Sequence, residues 1–105
     1  MSDLQCPARV VVLTPEQSGD PEALRAAAGT VSGSRLVRVY AGPDLASYAQ
    51  HVGGALDLPV AEGDDLDELA DLHAGEAVLV VREWPEPGPV LMERDADGWQ
   101  RIRVE

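Results

Sequence analysis

The sequence predicts an α/β fold: a mostly parallel sheet with helices on both faces and a C-terminal antiparallel hairpin. Three observations carry this expectation. First, residues 8–14 (ARVVVLT) and 77–82 (AVLVVR) are near-continuous apolar runs, as expected of strands covered on both faces in a parallel sheet. Second, residues 35–60 (RLVRVYAGPDLASYAQHVGGALDLPV) read as strand, Gly-Pro turn, amphipathic helix and the start of another strand, which is a crossover unit. Third, Asp95-Ala96-Asp97-Gly98 places a glycine at the turn between two strand-like runs, 90–94 and 99–104, which predicts an antiparallel pair.

Taken in order, the remaining elements fit this frame. Residues 15–19 read as a loop. Asp20-Pro21-Glu22 is a helix start, with an acid to cap, a proline at the first position and an acid in the first turn; the helix ends near Gly29. Residues 30–34 form a polar linker. In the central unit, Pro43 suits a first helical position, and Leu45, Tyr48, Ala49, Val52 and Leu56 share one helix face. Leu58-Pro59-Val60 restarts an extended path, because the residue before proline is pushed out of the helical region. A further helix follows, capped by Asp64 or Asp65, with Leu66, Leu69 and Leu72 along one side and Gly75 ending it. Residues 83–89 (EWPEPGP) read as a loop. The last strand alternates Trp99, Arg101 and Arg103 with Gln100, Ile102 and Val104, a half-polar pattern suited to a sheet edge.

At 105 residues the chain is expected to form a single α/β domain, residues 1–105, burying roughly two-thirds of its unfolded surface. Phe is absent, so Val, Leu and Ala must fill the interior, with two Trp and two Tyr as the bulky pieces. The formal net charge of −11, with Arg as the only fixed cation, argues against nucleic acid, since phosphate contacts need clustered basic side chains. Acidic membrane surfaces are disfavoured for the same reason, and no apolar run reaches membrane-span length. One cysteine, Cys6, cannot form an internal disulfide, and residues 1–9 lack a secretory pattern; both fit a cytoplasmic protein. The Lys-free composition rich in Ala, Gly, Val, Arg and Asp suggests GC-rich bacterial coding.

Motifs that carry chemistry are sparse. No Gly-rich phosphate loop is present, and Gly53-Gly54 inside a predicted helix is better explained by close packing. No Cys/His cluster has zinc spacing, and the acids Asp64, Asp65, Asp67, Glu68 and Asp71 fit a solvated helix face, so no metal and no cofactor is expected. His51 and His73 read as surface histidines. In a parallel sheet the default ligand site is the crevice beyond the C-terminal strand ends, which places it at 14–18, 41–44 and 82–84.

The order of elements and the segment VYAGPDLASYAQHVGGALDLPV give the chain a family likeness. It resembles the histidine phosphatase superfamily, the phosphoglycerate mutase-like proteins, whose corresponding segment reads VYSSPLxRAxQTAxxIAxxLGLPV. VVVLTPEQS stands where that family has its first strand and RHGET motif. DDLDEL resembles its LxE acid motif, GEAVLVVREW its xxVLVVSHGG, and DADGWQRIRVE its terminal hairpin. The resemblance implies where catalytic groups would stand. The family's arginine and nucleophilic histidine fall on Thr14 and Pro15, its glycine on Glu16, and its threonine on Ser18. The arginine of the Ser-Pro-Leu segment falls on Ala46. The second histidine falls on Glu83, between Arg82 and Trp84, while Glu68 matches the proton-donor acid. The stretch that would roof the pocket is much shortened.

Phosphoryl transfer by that route needs an imidazole nucleophile and a cluster of positive donors. The resemblance therefore implies a shortened, degenerate member, a pseudoenzyme acting as a binding or regulatory module with no catalytic residue. Its crevice candidates are Thr14, Ser18, Glu68, Arg82, Glu83 and Trp84. Trp84 either anchors a partner or folds back across the crevice. Two alternatives stand beside it: a small enzyme using Glu68 and Glu83 as acid and base or as cation ligands, and an assembly subunit pairing through its C-terminal hairpin edge. The expected partner is an unidentified protein or small ligand, or a second copy of the chain.

Overall fold

The two central strands are assembled from the β-branched and apolar residue types that the sequence marks as extended. The computed structural model describes residues 8–29, 36–73, 75–84, 90–95 and 98–102. The elements run β1 (Ala8–Leu13), α1 (Pro21–Gly29), β2 (Leu36–Ala41), α2 (Ala46–Leu56), β3 (Val60–Glu62), α3 (Leu66–Leu72), β4 (Ala77–Val81), β5 (Val90–Asp95) and β6 (Gly98–Ile102). They form one six-stranded mixed sheet in the order β3-β2-β4-β1-β5-β6. β1, β2, β3 and β4 are mutually parallel, with Val11 and Val39 both beside Leu79. β5 runs antiparallel to β1, with Val10 beside Met92, and β6 returns antiparallel to β5. Gly98, at φ 114°, opens β6 opposite Asp95, a backbone conformation that a side chain would strain.

The core divides because side chains alternate along a strand. Val11 and Leu13 of β1 enter one buried cluster, joined by Leu79 and Val81 of β4, Ala23, Leu24 and Ala27 of α1, and Ala49 and Val52 of α2. Val10 and Val12 enter a second, with Val78 and Val80 of β4, Tyr40 of β2 and Leu69 of α3. The Cα radius of gyration, 12.7 Å, is that of a compact chain of this length, for which roughly 13 Å is usual.

Local signals explain the helices. Asp20 Oδ1 accepts the Glu22 N–H at 3.0 Å, and Pro21 opens α1. Pro43 opens a 3-10 turn, Pro43–Leu45, that leads into α2, so the regular helix begins three residues later than Pro43 suggests. Gly53 is buried, and a Cβ there would meet the Val60 side chain and come within 2.9 Å of the Leu58 carbonyl oxygen. This is the close approach that the Gly53-Gly54 pair signals, made by Gly53; Gly54 faces open space. α2 ends on Asp57, left-handed at φ 58°, with its N–H donated to the Gly53 carbonyl. Asp65 caps α3, its Oδ1 accepting the Glu68 N–H at 3.2 Å.

Two apolar residues depart from the expected faces. Leu72 is 65% exposed and Tyr48 41%. In α3 the buried positions are Leu69 and Ala70. At about 100° per residue, Leu72 lies roughly 160° around the axis from Ala70, so a leucine every third position drifts off the core face. Tyr48 sits at the margin of the α2 face and overhangs a surface cavity. No described helix is long and apolar enough to cross a membrane. Cys6, the 30–34 linker, residues 85–89 of the proline-rich segment, the hairpin tip 96–97 and the end of the last predicted strand lie outside the described residues.

Candidate functional site: a cleft beyond the parallel strands

The segments that leave β3 and β4 are each seated by a backbone bond to the neighbouring strand's end. Arg82 N–H donates to the Leu13 carbonyl at 2.9 Å, seating the exit of β4 beside the end of β1. Gly63 N–H donates to the Ala41 carbonyl at 2.9 Å, doing the same for β3 and β2. The Asp64 carboxylate then lies over Gly42: a Cβ on Gly42 would come within 2.8 Å of its Oδ2. Across this junction the Arg82 guanidinium donates from Nη1 to the Asp64 carbonyl at 2.8 Å, and its Cζ stands 5.8 Å from the centroid of the Trp84 ring. That separation is within the range of a cation–π contact.

The hairpin closes the other side. Trp99 Nε1–H donates to Asp67 Oδ1 at 2.6 Å, and Arg94 donates to the Asp67 carbonyl at 3.1 Å and to the Asp71 carboxylate. Between these parts lies a cavity of about 590 Å³, whose walls are Asp64, Asp65, Leu66 and Asp67 from the β3–α3 segment, Arg82 and Trp84 after β4, and Met92 and Trp99 from the hairpin. Among the described residues its walls carry three carboxylates and one guanidinium, and Arg94 adds an ion pair to Asp67 at 3.9 Å. Asp65 is engaged as a helix cap and Asp67 by the Trp99 indole. Among the described residues no hydrogen bond or ion pair engages the Asp64 carboxylate.

Of the residues expected at the crevice, Arg82 and Trp84 line this cleft. Trp84 is half-buried and packs against the second apolar cluster, with its Nε1 buried and without a hydrogen-bond partner among the described residues. It folds inward over the crevice and is not a protruding anchor. Thr14 and Ser18 stay in the turn after β1. Thr14 N–H and Oγ1 both contact Gln17 Oε1 at 3.2 Å, and buried Ser18 donates its hydroxyl to the Pro15 carbonyl at 2.6 Å. Glu68 and Glu83 are exposed, and neither lines the cleft.

A second cavity, about 510 Å³, lies between that turn and α2 and is lined by Pro15, Glu16, Ser18, Gly19, Ser47, Tyr48 and His51. His51 is exposed at its wall, as the sequence suggests. His73 corrects the surface expectation. Its side chain is 13% exposed, Nε2 shares a 2.6 Å hydrogen bond with the Tyr40 hydroxyl, and Nδ1 lies 2.8 Å from Glu76 Oε1. The Tyr40 and His73 rings meet edge to face, centroids 5.5 Å apart. Among the described residues no three His, Cys, Asp or Glu side chains are placed to hold a metal ion.

The cleft contains residues that strand-end reasoning did not name. Asp64, Asp65 and Asp67 follow β3, itself one of the parallel strands, so the rule used for 14–18, 41–44 and 82–84 also points to them. Met92 and Trp99 carry no such signal, since only the hairpin's return across the sheet brings them there. Comparison with known proteins returns no match for this chain: no family model, no curated protein and no solved structure.

Proposed function

We propose that the chain is a catalytically degenerate domain of histidine phosphatase-like architecture, phosphoglycerate mutase-like with helices on both faces of the sheet. In this reading it serves a bacterial cytoplasm as a binding or regulatory module, and the Arg82–Trp84 cleft is its contact site. The β-α-β-α-β-α-β order with an added antiparallel hairpin is the arrangement the resemblance implies. The observation that carries the loss of catalysis is the state of the strand-end groups. After β1 both hydroxyls are turned into the chain's own turn, on Gln17 and Pro15. At the cleft the guanidinium is tied to a carbonyl among three aspartates, and no imidazole lines it among the described residues. A phosphoryl group there would meet carboxylate repulsion and no nucleophile.

The test is hydrolysis of p-nitrophenyl phosphate by the purified chain. The expected rate equals that of buffer; turnover that co-purifies with the protein and disappears on Arg82→Ala would overturn the reading. The acid–base reading of Glu68 and Glu83 draws no support from their placement, because the two share neither cavity. Self-association keeps one specific observation in its favour: β6 stands at one edge of the sheet, and among the described residues no strand pairs with its outer side. Sedimentation velocity decides it, a single monomeric species up to high concentration being the result that removes this second reading.

A further inference from the structure

Both tryptophans of the chain, Trp84 and Trp99, line the same cleft, and among the described residues its acids outnumber its cation. An indole face attracts a cation through the negative potential above the ring, more strongly where water is partly excluded. In this molecule that contact is already made internally, because Arg82 stands over Trp84 at 5.8 Å. Its guanidinium also donates to the Asp64 carbonyl, and among the described residues no carboxylate pairs with it. The nearby Asp64 carboxylate, over Gly42, has no positive partner among the described residues. The cavity of about 590 Å³ is the size of a small-molecule site, for which roughly 300–1,000 Å³ is usual. The chain's net charge of −11 adds a long-range bias toward cations and against phosphate.

We infer that the cleft binds a small organic cation, a quaternary ammonium group on a compact body, with Trp84 and Trp99 as its aromatic walls, Asp64 as its counter-charge and Arg82 as a resident cation that it displaces. The inference rests on the binding-module reading and gives that module its ligand class. It assigns Arg82 a role opposite to that of a phosphate clamp. A clamp attracts the ligand, whereas a resident cation competes with it for the indole face.

Intrinsic fluorescence reads this cleft directly, since both of the chain's indoles are in it. The probe is choline, titrated at constant ionic strength beside its neutral isostere 3,3-dimethylbutan-1-ol and inorganic phosphate. Choline is expected to give a saturable change in emission, and the alcohol and phosphate none. Arg82→Gln, which frees the Trp84 face and removes a repelling charge, is expected to tighten choline binding by about threefold or more. Asp64→Asn, an isosteric change at an exposed side chain, is expected to weaken it by roughly fivefold. Trp84→Leu should weaken it as well, with Trp99 still reporting. An equal response to the neutral alcohol overturns the inference, as does the absence of a saturable choline response or weaker choline binding in Arg82→Gln. Phosphate binding that Arg82→Gln abolishes, without turnover of a phosphate ester, would overturn the ligand class and leave the degenerate binding module standing. Turnover would remove the module reading itself.

Discussion

The two apolar clusters use the same strands yet are closed in different ways. The first is sealed by α1 and α2 through small and branched side chains, Ala23, Leu24, Ala27, Ala49 and Val52, with Leu13 and Leu79 fully enclosed. The second receives α3, seven residues long, of which Leu69 and Ala70 are buried. Leu66 packs partly against it as well, and polar contacts add direction: Arg94 and Trp99 grip Asp67 and Asp71 at one side, and Tyr40 grips His73 at the helix end. Apolar area is non-directional and fixes the frame, while polar contacts fix particular groups in particular places. The cleft opens on the second cluster, which holds three of the chain's four aromatic side chains, Tyr40, Trp84 and Trp99.

The comparison can be broken most sharply by paired truncations. Leu79→Ala, between Val11 and Val39 in the first cluster, is expected to destabilise by about 3–5 kcal/mol, because the flanking strands cannot close the void. Leu69→Ala, equally buried but on the seven-residue α3, should cost about 2 kcal/mol, the low end of the same range, since so short a helix can shift to close the void. Urea midpoints measure both, and a larger loss at Leu69 would show that the second cluster is the stiffer one. Tyr40→Phe removes one buried hydroxyl from His73 and is expected to cost about 1 kcal/mol, with the downfield tyrosine hydroxyl resonance lost in NMR spectra. Smallest is Leu72→Gln, at a site 65% exposed, with an expected change within about 0.5 kcal/mol. A substantial loss there would put Leu72 in an apolar contact and contradict the helix phase assigned above.

Element order was legible because each strand and helix carries its own local signal: Asp20-Pro21 for α1, Pro43 for the turn before α2, Pro59 for β3. Helix phase in short segments was not. Leu66, Leu69 and Leu72 look like one stripe in sequence, yet seven residues make barely two turns, and which face wins is decided by what the sheet offers. The cleft was half legible. Arg82 and Trp84 follow from strand-end logic, while Trp99 and Met92 arrive by tertiary pairing across β1 and β5, which no local pattern encodes. The inward seat of Trp84 was equally beyond the sequence, for an indole between glutamate and proline reads the same whether it faces solvent or core.

The way α3 is held has a consequence for motion. A helix of seven residues is too short to persist unaided, so its amides are protected only while its tethers hold. The Leu69 and His73 amides, bonded back to Asp65 and Leu69, should therefore exchange with deuterium through local opening, well before those of β4, which release only on global unfolding. Because Asp65, Leu66 and Asp67 form one wall of the cleft, that wall is renewed each time the helix recloses. Any molecule lodged against it would lengthen the protection of α3 and leave the β4 amides at their own rate.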